Sequence, residues 1–249
     1  MEKAISRETI KYYAKELKLP TFNNYESVVE GLGPNDGYAE FLAKVMRIEK
    51  ESRDEKGREN RIRSAGFPLR KSFDELDLSR FENEEPARIR ELGSCGFVSA
   101  RENIVMFGNP GTGKTHLAIA LGIRACQKGF RVRFFTAADL LTQMDEARTE
   151  KKLARFTSSL QKVDLVIIDE LSYMTLDRYK SELFFKVISD RSERKSTIIT
   201  TNVSFSDWET IFGDKMMVNA IVGRLMFKSH AVNTNCANPY REEFAGATS

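Results

Sequence analysis

Eight consecutive residues, Gly108-Asn109-Pro110-Gly111-Thr112-Gly113-Lys114-Thr115, satisfy the pattern G-x-x-x-x-G-K-[ST] in full. The apolar run Ile104–Phe107 precedes them and a helical stretch follows, the strand–loop–helix setting in which this pattern carries chemistry. Glycines let such a loop turn tightly, so that backbone N–H groups point inward at phosphate oxygens. The helix N-terminus adds the positive end of its dipole. Lys114 then reaches the β- and γ-phosphates of a nucleotide, and the Thr115 hydroxyl ligates Mg²⁺. Gly108, Asn109, Pro110, Gly111, Thr112, Gly113, Lys114 and Thr115 are therefore the expected nucleotide-binding residues, with ATP and Mg²⁺ as cofactors.

A second run, Leu165-Val166-Ile167-Ile168, ends in Asp169-Glu170. At a strand end Asp169 can hold Mg²⁺, usually through water, and Glu170 can take a proton from an attacking water. The pair points to hydrolysis of the γ-phosphate more than to transfer onto a bound hydroxyl. A third run, Thr197–Thr201, ends in Asn202, whose amide suits positioning that water and sensing the γ-phosphate. The bland alternative is that Asn202 starts a turn.

These residues need a scaffold, and the rest of the chain describes one. From about residue 92, apolar runs at Asn103–Phe107, Arg131–Phe135, Leu165–Ile168 and Thr197–Thr201 alternate with helical stretches at Thr115–Lys128, Ala138–Ala147 (continuing unevenly to Gln161) and Arg178–Arg191. Such alternation predicts an α/β fold with right-handed crossovers and a parallel sheet covered on both faces. Residues 1–75 carry no strand-like alternation and read as a helical N-terminal domain. Its predicted helices are Thr9–Leu19, Tyr25–Leu32 and a long one from Tyr38 to Ala65, closed by Gly66 and Pro68. Residues 76–91 are a connector and residues 92–249 the nucleotide-binding domain.

Composition narrows the class. The 249 residues are 41% hydrophobic and 30% charged, which supports a packed core and excludes global disorder. Lys and Arg number 39 against 36 Asp and Glu, a net +3 that excludes a polycation but leaves room for local basic patches. The longest strictly apolar run, Leu117–Leu121, is far short of the roughly 20 residues of a membrane span. The first residues lack the apolar stretch of a secretory signal. Cys95, Cys126 and Cys236 are scattered without a C-x-x-C, so a reduced cytoplasmic protein with ordinary thiols is expected.

Taken together, Gly108–Ala120 (GNPGTGKTHLAIA), Leu165–Tyr173 (LVIIDELSY) and Ile198–Trp208 (IITTNVSFSDW) resemble the IstB-like ATPases, helper proteins encoded beside the transposases of certain insertion sequences and related to DnaC-type helicase loaders within the AAA+ group. Ala220–His230 (AIVGRLMFKSH), Tyr240-Arg241 and the Phe67-Pro68 step extend the resemblance over nearly the whole chain. It implies an AAA+ P-loop NTPase core with strand order 5-1-4-3-2 after a small helical domain. Asn202 would be the first sensor. Arg224 falls where the family places an arginine that reaches a neighbouring subunit's γ-phosphate, a fixed charge suited to the transition state. Arg191 and Arg194 are rivals for that contact. His116 follows the loop as in the family and is grouped with the nucleotide site, although a structural or helix-end role suits it better. Trp208 reads as a core anchor. The chain departs from the family at Gly223-Arg224-Leu225, commonly Asp-Arg-Leu, at Ser172-Tyr173, usually Gly-Tyr, and at Pro239-Tyr240-Arg241, usually Ser-Tyr-Arg.

Two basic clusters are candidates for nucleic acid. Lys56–Lys71 holds Arg58, Arg61 and Arg63 with only Glu59 against its charge, and a second group comprises Arg148, Lys151, Lys152 and Arg155. Both could equally be solvated helix faces. No base-reading motif accompanies them, so phosphate contacts and salt-dependent affinity are expected. The reading is an ATP-dependent, DNA-binding AAA+ ATPase that forms a homo-oligomeric ring or spiral on duplex DNA and assists a transposase encoded alongside, with no membrane partner. Its rivals are a helicase loader on single-stranded DNA, a P-loop small-molecule kinase, and a scaffold that binds ATP without turnover.

Overall fold

A computed structural model describes residues 7–34, 36–81, 85–172 and 175–235. Tyr173, Cys236, Pro239 and Tyr240-Arg241 lie outside the described residues. The chain divides into two compact units, Met1–Asn60 and Arg61–Ser249.

The first unit holds α1 (Arg7–Glu16), a 3₁₀ turn at Pro20–Asn24, α2 (Tyr25–Glu30) and most of α3 (Tyr38–Ala65), whose last turn belongs to the second unit. α1 stops short of the predicted Leu19 because Lys18 turns left-handed at φ 55° and Leu19 N–H returns to the Ala14 carbonyl at 2.7 Å. That arrangement satisfies the end of the helix locally. Glu49 is buried on α3 and accepts from the Thr21 amide at 3.1 Å and from Arg53 Nε at 2.6 Å.

The second unit is built on five parallel strands, β1 (Asn103–Phe107), β2 (Val132–Thr136), β3 (Leu165–Asp169), β4 (Ser196–Thr201) and β5 (Ser229–Asn233). Their order, 5-1-4-3-2, is the one that the resemblance implies. Alternate residues of β2, β3 and β4 enter opposite cores, as the two-residue period of a strand requires. Ile104, Met106, Phe134, Leu165, Ile167 and Ile198 join α4 (Glu85–Leu92), α5 (Gly96–Ala100) and α6 (Lys114–Gln127). Phe135, Val166, Ile168 and Ile199 join α7 (Ala137–Thr149), α8 (Leu153–Gln161), α9 (Arg178–Arg191), α10 (Glu209–Phe212) and α11 (Lys215–Met226). Residues 61–81, grouped in the sequence with the N-terminal helices and connector, supply Ile62, Ala65, Leu76 and Phe81 to the first of these cores.

The uneven stretch after Ala138 resolves into two helices, because Lys151 breaks it with a left-handed φ of 57°. β5 and α11 have no counterpart in the strand and helix runs read from the sequence. β5 is an edge strand with polar ends (Ser229, His230, Asn233), so its residues show no apolar run. Trp208 is fully buried against Phe205 and Phe212, the core anchor expected of it. Burial pushes the thiols of Cys95 and Cys126 up, Cys126 to about 12, so both are inert packing groups. No helix among the described residues is long and apolar enough to cross a membrane.

Candidate nucleotide-binding site

The phosphate loop runs from the end of β1 to the N-terminus of α6, where Gly113 is the N-cap with φ 93°. Gly108 sits at φ 152°, and a Cβ there would lie 2.6 Å from the Thr234 hydroxyl. Glycine is required at that point for space as well as for conformation. The segment after β5 closes over the loop. Asn235 Oδ1 accepts from the Asn109 amide at 2.7 Å, the Thr234 and Thr112 hydroxyls share a hydrogen bond of 2.8 Å, and the Thr234 amide donates to the Phe107 carbonyl at 2.8 Å. Thr234 and Asn235 are site residues that no local signal announced; they meet the loop only through the pairing of β5 with β1.

Lys114 folds back over its own loop, donating from Nζ to the Gly108 and Asn109 carbonyls at 2.6 and 2.7 Å. Burial lowers its pKa from the ordinary lysine range, while the charges of Asp169 and Glu170 oppose that shift. Thr115 Oγ1 stands 3.0 Å from both oxygens of Asp169, so the hydroxyl and the carboxylate predicted to share a metal do meet. Asp169 is only 2% exposed. Burial raises its pKa, and Thr200, Thr115 and Lys114 hold it down in part. Thr200 on β4 donates to Asp169 Oδ1 at 2.5 Å and accepts from the Glu170 amide at 2.9 Å. Glu170 itself is exposed and left-handed at φ 58°. Asn202 Oδ1 is buried with no hydrogen-bond partner among the described residues, an acceptor left open beside the acidic strand.

The other predicted residues lie apart from this cluster. His116 is half-buried, and the groups that act on its ring come from the 71–75 segment: Lys71, the Ser72 backbone and Glu75. Burial lowers its pKa. Arg224 lies over the Phe185 ring at 4.7 Å and donates to the Ala220 carbonyl at 3.0 Å. None of its contacts among the described residues reaches the phosphate loop of its own chain. Arg191, a rival for a contact across subunits, is buried at 1% exposure. All five of its N–H groups are engaged, by Thr197 Oγ1 and by the carbonyls of Leu160, Val163, Asp164 and Ser196. It is an internal tie and cannot reach a neighbour. Arg194 is exposed.

Of the basic clusters, Arg61 is half-buried and donates from Nε to the Cys126 carbonyl at 2.8 Å, capping the C-terminus of α6. Arg58 is exposed and pairs with Glu55 at 3.3 Å, and Arg63 is exposed. Arg148 stacks over Tyr179 at 4.1 Å and Lys152 pairs with Glu150 at 2.7 Å; Lys151 and Arg155 are exposed.

Comparison with known proteins agrees with this geometry. The family of IstB-like ATP binding proteins matches residues 13–244. A Pseudomonas aeruginosa protein named for insertion sequence IS21 and for ATP binding is 35% identical over 209 residues, 84% of this chain and 79% of that one. A Geobacillus stearothermophilus protein named for insertion sequence IS5376 and for ATP binding is 34% identical over 229 residues, 91% of each. Among solved structures, the DnaC helicase loader is similar with a TM-score of 0.52 and 26% identity, covering 63% of this chain and 94% of that one. AMPPCP-bound DnaA from Aquifex aeolicus has the same fold, with a TM-score of 0.57 at 19% identity over 74% of this chain and 56% of that one. A phosphate loop and an acidic strand end meeting on a 5-1-4-3-2 sheet, in a chain matched almost end to end, place it in the family of IstB-like ATP-binding proteins with an AAA+ core.

Proposed function

We propose that this protein hydrolyses ATP while assembled as a homo-oligomer on duplex DNA, and that the assembly assists a transposase encoded alongside it. The observation that carries the hydrolytic part is the meeting of Thr115 and Asp169 at 3.0 Å at the mouth of α6, with Glu170 next in the chain and the open Asn202 acceptor just past the end of the adjoining strand. One hydroxyl and one carboxylate are hard oxygen donors that fit Mg²⁺, which takes its remaining ligands from phosphate oxygens and water. Bound there with ATP, Mg²⁺ would neutralise charge on the β- and γ-phosphates. Lys114 leaves its loop carbonyls to pair with the same phosphates. Glu170 takes the proton of the attacking water, and Asn202 orients that water. Arg224, whose contacts among the described residues do not reach its own loop, supplies its charge to the site of a neighbouring subunit. Arg58, Arg63, Arg148, Lys151, Lys152 and Arg155, all exposed, contact DNA phosphates. The relatives named for insertion sequences support the transposition setting.

ATP hydrolysis measured against protein concentration, with and without duplex DNA, tests this reading. Turnover that rises steeply with both, and that Glu170→Gln abolishes while ATP still holds an oligomer on DNA, is expected. Turnover indifferent to DNA and to concentration would instead fit a monomeric P-loop enzyme. The likeness to the DnaC helicase loader at 26% identity favours a second reading, loading of a helicase on single-stranded DNA. Competition between single- and double-stranded oligonucleotides at fixed salt separates the two.

A further inference from the structure

We infer that Thr200 is the positioning residue that holds both members of the acidic pair, through a single hydroxyl, in the geometry ATP hydrolysis needs. This inference rests on the hydrolytic reading above. β3 and β4 pair in regular register only as far as Ile168 against Ile199. One step further the Thr200 side chain takes over. Its Oγ1 accepts from the Glu170 amide at 2.9 Å and donates to Asp169 Oδ1 at 2.5 Å. The direction of both bonds is forced. An amide N–H can only donate, so the hydroxyl must accept from it, and its own proton is left for the carboxylate. The Thr200 carbonyl meanwhile accepts from the Leu171 amide at 2.9 Å, and the Glu170 carbonyl from the Ser172 amide at 2.8 Å.

These bonds bear on Glu170 in particular. A non-glycine residue at φ 58° persists only where its surroundings over-determine it. Here the constraints come from Thr200 on one side and the Ser172 turn on the other. The left-handed step ends the strand at Asp169 and leaves Glu170 exposed, where a proton acceptor for water must be. Asp169 is fixed by the same hydroxyl on one side and by Thr115 on the other. Thr200 is itself 1% exposed, so its own group never faces the nucleotide. Thr201, the next residue, directs its hydroxyl to the Leu171 and Val203 carbonyls and touches neither acid.

Thr200→Val keeps the shape and removes the hydroxyl, and Thr200→Ser keeps the hydroxyl. In the full-length protein with duplex DNA, Thr200→Val is expected to lower kcat by about 10–100-fold, the usual effect of removing a group that orients a metal ligand. KM for ATP and nucleotide affinity in EDTA should stay near wild type. The Mg²⁺ concentration needed for half-maximal tightening of a fluorescent ATP analogue should rise. Thr200→Ser should restore most of both. If the valine variant does not fold, Thr200→Ala carries the same comparison. Thr200→Val turnover and Mg²⁺ dependence at wild-type values, or a serine variant no better than valine, overturns the inference. If wild type fails to hydrolyse ATP, or Glu170→Gln is fully active, the hydrolytic reading falls instead; the Mg²⁺ titration of nucleotide binding then decides on Thr200 alone.

Discussion

The two ends of β3 carry polar clusters of opposite character. At its N-terminal end, Arg191 has an acceptor for every N–H, and Asp164 binds Lys195 Nζ at 2.6 Å and the Arg131 amide at 2.9 Å. Asn103 there donates to the Leu225 carbonyl and accepts from the Thr197 amide, both at 3.0 Å. At its C-terminal end, Asn202 Oδ1 has no partner among the described residues, Lys114 is parked on loop carbonyls, and Glu170 is exposed in a left-handed conformation. The first cluster is closed and the second is open. A buried polar group with all partners supplied holds a fold together. One with capacity left over can make a further hydrogen bond, as a binding site requires.

The largest effect expected from this contrast lies at the closed end. Arg191→Ala strands several buried carbonyls, each costing about 1–3 kcal/mol when left unsatisfied. Chemical denaturation should show that loss, while the nucleotide affinity of the folded protein stays unchanged. Lys114→Ala should do the reverse, abolishing ATP binding with little loss of stability. If Lys114→Ala proved as destabilising as Arg191→Ala, the distinction between the two ends would collapse.

Gly122 links the open end to the core. A Cβ at this position would sit 2.7 Å from Ile167 Cδ1 and 2.8 Å from Phe67 Cε1, so α6 can approach β3 only because the residue is glycine. Gly122→Ala should cost about 1–3 kcal/mol by overpacking. Because α6 begins at the phosphate loop, ATP affinity should weaken as well. A thermal shift without a change in affinity would show that the loop is insulated from the packing beneath it.

How legible was this from residues alone? The phosphate loop and the ends of β3 and β4 were, because their chemistry is compressed into consecutive residues that follow apolar stretches (Ile104–Phe107, Leu165–Ile168, Ile198-Ile199). β5 and the clasp that follows it were not: Thr234 and Asn235 meet Thr112 and Asn109 across more than a hundred residues of chain, and the edge strand that leads into them has no apolar run. Thr200 left a faint trace, a hydroxyl in a buried strand two residues before Asn202, where an apolar side chain would otherwise pack. Arg191 misled. An arginine at the C-terminus of a helix reads as a surface charge, and only the convergence of α8, β3 and β4 buries it. The sheet order came from resemblance, since strand runs do not state their own neighbours.

The two aspartates that flank the apolar run of β3, Asp164 before it and Asp169 at its end, offer a smaller and more pointed test. For Asp164, burial raises the pKa, but Lys195 and Arg131 outweigh it and the net shift is downward. Its folded pKa lies below the unfolded value near 3.8, so its carboxylate stabilises the fold above that pH and the contribution is lost as pH falls through the lowered value. For Asp169 the net shift is upward, with burial the main cause. Its ionisation therefore opposes folding, and the penalty is complete once pH exceeds the raised value. Without nucleotide at neutral pH, Asp164→Asn should lower the melting temperature and Asp169→Asn should leave it equal or higher. Both variants losing stability alike would mean that the open end is held together by the same saturated bonding as the closed one.

The smallest effect is expected at Gly223, beside the arginine assigned to a neighbouring subunit. Gly223 is exposed within α11, and a Cβ there would meet nothing within 4 Å. Its φ is not in the left-handed range, so alanine fits the helix without strain. Gly223→Ala should stabilise the protein by about 0.5–1 kcal/mol through the lower backbone entropy of the unfolded chain. Arg224 stays where it is, because the Ala220 carbonyl and the Phe185 ring hold it. Nucleotide affinity at low protein concentration should therefore be unaffected, and only turnover in the assembled state is exposed to change. A loss confined to that regime would place this face of α11 in contact with the next subunit's site. Gains in stability with turnover intact at every concentration would leave Gly223 a departure in sequence alone.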